Sequence, residues 1–199
     1  MTSDTCPAEL VFPGHGQLVD TLDAAVALVD PQAITERLRT DLSALMARPS
    51  FQLPEAVRRP AEGRYARRLL HQSTRHGYSV IAMTWGPGQG TPIHDHDGLW
   101  CVEGVWQGRL EVMPYDLVET AADGQRMRFA PGRVIDAGQG STGSLIPPFE
   151  YHTIRNPSAE ATAVTIHVYS QAMNRCAVFE AAGDGWHRRR QRELALEPD

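Results

Sequence analysis

From about residue 63 the chain becomes a succession of short apolar-rich runs broken by turn residues, and this texture limits its possible folds more than any other feature. Tyr78 to Trp85 reads YSVIAMTW and is closed by Gly86-Pro87-Gly88-Gln89-Gly90. Leu99–Trp106 and Arg109–Tyr115 read as a hairpin around Gln107-Gly108. Further runs follow at Arg133–Ala137, Ser144–Ile146, Tyr151–Arg155, Thr162–Tyr169 and Cys176–Glu180. Many short strands at this spacing predict a mainly β chain, a barrel or sandwich of the jelly-roll type.

The first 50 residues have a different pattern. Leu18 to Val29 is rich in Ala, Leu and Val, and Asp30-Pro31 suits an N-cap followed by proline at the first helical position. From there Ile34, Leu38, Leu42, Leu45 and Met46 recur at helical spacing, and Pro49 marks the stop. The expected organisation is a helical segment over 1–50 packed on the barrel, a β domain over 51–182, and a tail over 183–199. The basic run Arg188-Arg189-Arg190 reads as part of a solvated tail.

A chain of 199 residues with 42% hydrophobic and 22% charged residues can bury a core without disulfide staples. The net charge of −5 argues against nucleic acid as a partner. No apolar run reaches the ~20 residues of a membrane helix, so no membrane association is expected. Met1-Thr2-Ser3-Asp4 carries neither the basic start nor the apolar stretch of a signal peptide. Three cysteines, Cys6, Cys101 and Cys176, make a poor disulfide framework, and Cys6 and Cys176 read as plain thiols. The expectation is a soluble, cytoplasmic protein.

The chemistry centres on His94-Asp95-His96, placed after the glycine-rich turn. On a strand, residues i and i+2 project from one face, so both imidazoles can reach one metal ion. Gly88, His94, His96, Cys101 and Gly108 reproduce the spacing of the first cupin motif, with Cys101 where that motif carries glutamate. Pro147, His152 and Asn156 keep the spacing of the second motif, with Phe149 in place of its glycine. His94, His96 and His152 are therefore the expected metal ligands. Three neutral imidazoles leave the metal its full positive charge and open positions for small ligands. The same set suits Zn²⁺ and hydrolysis.

These residues resemble the cysteine dioxygenase type I family of cupin thiol dioxygenases, over about Tyr65 to Glu180. Tyr65-Ala66-Arg67 resembles the family's Tyr-x-Arg segment, and Thr165-Ile166-His167-Val168-Tyr169 its Ser-x-His-x-Tyr relay. The resemblance implies Fe(II) on the three histidines and addition of both atoms of O₂ to the thiol of a small mercapto-acid, giving a sulfinate. It implies that Arg67, with Tyr65 beside it, holds the substrate carboxylate, since a guanidinium fork pairs bidentately with a carboxylate. Tyr169 would stand near the metal-bound oxygen, with His167 and Thr165 behind it. Cys101 falls where animal members carry a cysteine cross-linked to the tyrosine matched by Tyr169. Arg67 and Cys101 together point to L-cysteine as substrate, with mercaptosuccinate and 3-mercaptopropionate as alternatives. More distant readings are another metal-dependent cupin enzyme or a cupin that only binds a small molecule.

Overall fold

The computed structural model describes residues 10–197; Cys6, expected to be a plain thiol, lies outside them. The N-terminal segment forms two helices, α1 (His15–Val26) and α2 (Pro31–Met46). Asp30 caps α2 as its position before Pro31 implies, its carboxylate accepting the Ala33 N–H at 2.8 Å. A short 3₁₀ turn at Glu55–Arg58 leads into the β domain.

Two antiparallel sheets follow. The first has five strands: β1 (Ala66–Gln72), β2 (Ser79–Trp85), β10 (Ala163–Tyr169), β4 (Cys101–Gln107) and β8 (Thr142–Leu145), in that spatial order. The second runs β6 (Arg126–Pro131), β12 (Trp186–Glu193), β11 (Arg175–Ala181), β3 (Ile93–His94), β9 (His152–Arg155), β5 (Arg109–Thr120) and β7 (Ile135–Gly138). A β5–β6 pairing closes part of this second sheet into a ring. The hairpin expected around Gln107-Gly108 does not form: Gly108, at φ +83°, a value that favours glycine, turns the chain out of the first sheet, so β4 pairs with β10 and β8 while β5 pairs with β6, β7 and β9 in the second.

The strand alternation explains how the site is housed. On β10, Val164, Ile166 and Val168 pack outward with Leu18, Leu22, Leu38 and Leu42 of the helices. Thr165, His167 and Tyr169 take the opposite face, toward the second sheet. Every residue of β10 is buried because both faces of the first sheet are covered. Between the sheets lies a second core, with Leu69, Ile81, Met83 and Trp85 from one and Leu110, Ile154, Cys176 and Val178 from the other. A third cluster, Ile93, Ala177 and Phe179 with Tyr115, Phe129 and Tyr151, fills the ring side of the second sheet. At Gly104 α2 comes so close that an added Cβ would lie 2.7 Å from Met46 Cε.

The mainly β architecture with N-terminal helices agrees with the sequence, and the tail does not. Residues 186–193 form β12, hydrogen-bonded between β11 and β6. It is not simply a solvated segment: its Trp186 ring lies under Arg126 and Arg128 of β6, and its Arg189 reaches within 3.9 Å of Asp95. Alternating long basic side chains hide a strand because their stems can lie over apolar surface while the charge stays in water. Strand β6 went unread for the same reason. Among the described residues no helix is long and apolar enough to cross a membrane.

Candidate metal centre and substrate pocket

The three histidines are brought together by pairing across strands distant in sequence. His94 on β3 is the register partner of His152 on β9, and His96 lies in the turn just beyond. The ring centroids lie 4.4 Å apart for His94 and His152, 5.1 Å for His96 and His152, and 5.3 Å for His94 and His96. One ligand nitrogen from each lies within 4.8 Å of the others, and this is the metal-competent group among the described residues.

Their protonation suits ligation. Burial, followed by the neighbouring imidazoles, pushes all three down to about 3, so the rings are neutral near pH 7. His94 Nδ1 lies 3.2 Å from the Pro92 carbonyl and His152 Nδ1 2.9 Å from the Glu150 carbonyl. With the proton held at Nδ1, each ring presents the Nε2 lone pair inward. His152 Nε2 is buried and has no hydrogen-bond partner. An orphaned basic nitrogen facing two other neutral imidazoles fits a divalent metal ion.

Outside the triad, carboxylates hold the ligands in place. The buried Glu150 accepts the His96 backbone N–H at 2.9 Å and places Oε2 3.3 Å from His96 Nδ1. Asp95 points the other way, accepting the Ala177 N–H at 2.7 Å and so fastening the turn to β11. Arg175 adds an ion pair to Asp97 at 2.8 Å. Glu150 was not legible as a site residue, although its spacing of two from His152 is a same-face signal.

Arg67 is 3% exposed on the inner side of β1. Its Nη2 donates to the Met173 carbonyl at 3.0 Å, while Nε and Nη1 are buried without partners. Tyr65 stacks on Trp85 with ring centroids 4.7 Å apart. The segment after β12 closes this side: Leu194 and Leu196 pack on the same cluster, Arg64 pairs with Glu197, and the Glu197 N–H donates to the Arg67 carbonyl at 2.7 Å. Cys176, expected to be a plain thiol, is buried in that cluster, and burial pushes it up to about 11. Tyr151 instead packs at 5.0 Å against Phe129, in the ring-side cluster.

The relay residues do line up. Trp85 Nε1 donates to Thr165 Oγ1 at 2.9 Å, and Thr165 Oγ1 lies 2.8 Å from His167 Nε2. The rings of His167 and Tyr169 are 6.0 Å apart, and that of Tyr169 is 6.1 Å from His96. Cys101 is the cross-strand partner of Tyr169, and its sulfur is 4.0 Å from His167 Nδ1. Burial pushes the Tyr169 phenol and the Cys101 thiol well up, so both stay protonated at neutral pH. Glu103, two residues beyond Cys101 on the same face, brings Oε2 to 3.5 Å from His167 Nδ1. The alternation of β4 carried that signal, and the residue was missed. A cavity of about 610 Å³ reaches His152, Thr165 and Glu103 from the β7–β8 side.

Comparison with known proteins gives a consistent picture. A family model described as cysteine dioxygenase type I matches residues 59–182. Cysteine dioxygenase type 1 of Rattus norvegicus is 26% identical over 117 residues, covering 59% of this chain and 56% of the relative. The Danio rerio protein of the same name is 24% identical over 127 residues, with the same coverage. The chain thus spans little more than half the length of these relatives. Among solved structures, a cupin 2 conserved barrel domain protein from Rhodopseudomonas palustris aligns at TM-score 0.44 and 15% identity, covering 64% of this chain and 75% of that one.

Proposed function

Since the chain belongs to the cysteine dioxygenase type I family, we propose that it is a non-heme Fe(II) thiol dioxygenase acting in the cytoplasm, converting a small mercapto-acid and O₂ to the sulfinate, with L-cysteine as the substrate. The observation that carries this reading is a buried guanidinium with two unpartnered nitrogens in the same interior as three neutral imidazoles. A free Cys101 and a free Cys176 fit a reducing compartment.

Fe(II) held by His94, His96 and His152 would supply open positions for thiolate and oxygen and the electrons that activate O₂. Arg67 pairs with the substrate carboxylate through the nitrogens that lack a partner, which fixes where the sulfur lies. Tyr65, stacked on Trp85, walls the same side and limits the length of the substrate. Tyr169 keeps its proton and donates a hydrogen bond toward the reacting oxygen atoms. Thr165 and His167 brace the strand behind it. The apolar walls of the interior, among them Ile81 and Val178, exclude water from the sulfur as it is oxidised.

The test is oxygen uptake by the iron-loaded protein with L-cysteine, 3-mercaptopropionate and mercaptosuccinate, alongside Arg67→Ala. Uptake matched to sulfinate with L-cysteine and lost in the variant is expected. Preference for another of the three thiols would replace the substrate and keep the reaction. No uptake with any thiol despite bound iron would overturn the reading in favour of another cupin chemistry or a binding role.

A further inference from the structure

Glu103 is a carboxylic acid inside an apolar barrel wall with no cation paired to it. Its Oε2 is buried and lacks a hydrogen-bond partner. It is the cross-strand partner of His167 and approaches that ring's Nδ1 to 3.5 Å. On its far side Gly143 leaves room, an added Cβ there lying 3.7 Å from Glu103. Beyond it opens the cavity of about 610 Å³, walled by Val105, Leu110, Val112 and Ile154. A buried unpaired acid costs stability unless something uses it.

The hydrogen-bond chain it adjoins can run in either direction. Trp85 Nε1–H can only donate, so Thr165 Oγ1 accepts from it. Thr165 can then either donate its hydroxyl hydrogen to His167 Nε2 or accept a second hydrogen from it. We propose that Glu103 is a positioning residue that sets the tautomer of His167, and with it the direction of the Trp85–Thr165–His167 chain, according to a proton exchanged through the adjoining cavity. As a carboxylate it accepts from Nδ1–H, which leaves the Nε2 lone pair to receive the Thr165 hydroxyl. When Glu103 takes up a proton from solvent, its O–H donates to Nδ1. The single imidazole proton then stands at Nε2 and points at Thr165 Oγ1, whose own hydrogen must turn away.

The surroundings favour such exchange near neutrality. Burial pushes the Glu103 carboxyl up to about 7, and burial holds His167 well below its usual range, so the ring stays neutral throughout. The groups facing Glu103 are His167 and the protonated Tyr169 phenol on β10, the protonated Cys101 thiol on β4 and, around the cavity, His152 on β9, Asp136 on β7 and Arg39 on α2. None of these forms an ion pair with its carboxylate, since His167, 3.5 Å away, stays neutral.

The part His167 plays in turnover rests on the dioxygenase reading, whereas its tautomer can be read without turnover. The experiment is ¹⁵N-histidine NMR of the metal-free full-length chain at pH 6 and pH 8, with the His167 signals assigned from His167→Gln. At pH 8 the wild type is expected to carry the proton on Nδ1, moving toward Nε2 at pH 6. Glu103→Leu is expected to hold the proton on Nε2 at both pH values. Glu103→Gln, which keeps the shape, is expected to lose the pH response. A wild-type pattern that does not change with pH, or a Glu103→Leu pattern equal to the wild type, would overturn the proposal. If Glu103→Leu does not fold, Glu103→Gln decides alone: a retained pH response overturns it. A wild type that oxidises no thiol but shows the tautomer shift would sink the dioxygenase reading and leave this one standing.

Discussion

Cys101 on β4 and Tyr169 on β10 are direct register partners on adjacent antiparallel strands, both buried inside the barrel. Iron-dependent turnover in air is expected to join the sulfur to the tyrosine ring, with the thiol hydrogen and one ring hydrogen passed to oxygen. Intact-protein mass spectrometry would then show a species lighter by two hydrogens that is absent from Cys101→Ala. A mass unchanged after prolonged turnover would mean that the two side chains stay unlinked neighbours.

Arg67 is a buried arginine on the inner face of β1, and under the proposed function its loss would remove a charge-assisted contact with the substrate carboxylate. Arg67→Ala is expected to lower kcat/KM by roughly 10- to 100-fold, the range of a hydrogen bond to a charged group. Lysine at this position should restore only part of it, because a point charge cannot form the paired contact. Steady-state kinetics with iron content matched between proteins would decide; equal kcat/KM in all three would remove Arg67 from the substrate site.

Glu150 supports His96 twice, through its backbone N–H and beside its Nδ1. Glu150→Gln keeps an acceptor for the backbone and loses the charge. Metal affinity is expected to fall about 10- to 100-fold, as for other carboxylates behind ligating histidines. Competition against a chromophoric chelator measures this, with unchanged affinity as the contrary result.

The metal-free protein should lose stability in acid before its carboxylates titrate. The triad has folded values near 3 against an unfolded value of 6.5. Between those limits the unfolded chain binds more protons than the folded one, so stability is present above pH 6.5 and falls as pH drops toward 3. Glu103, at about 7 when folded against 4.5 unfolded, acts in the opposite sense: its contribution is present below pH 4.5 and lost as pH rises toward 7. Three groups outweigh one, so thermal melts should show a lower Tm at pH 5 than at pH 7. His152→Ala should flatten that slope, and an equal slope in the variant would assign the effect elsewhere.

Removing residues from 186 onward should prevent folding, since β12 joins β11 to β6 and the segment after it covers Arg67. Circular dichroism of the shortened chain would show it; a native spectrum and melting transition would contradict the account.

Much of this protein was legible in its sequence because short-range rules carried it. The periodicity of Ile34, Leu38, Leu42 and Leu45 fixed one helix face, and Asp30-Pro31 fixed where that helix begins. The spacing of His94 and His96 put two ligands on one side of the chain, and the alternation of Thr165, His167 and Tyr169 aligned the relay. Tertiary structure alone decided which distant groups face each other. His94 meets His152 through strand pairing across some 58 positions of chain, and Arg67 is closed in by a C-terminal segment whose arginine-rich strand looks solvated. Glu103 and Glu150 gain their place in the site only because the fold buries each beside a histidine. Local pattern reports which face a side chain takes, whereas the charge it meets there depends on which strand the fold lays alongside.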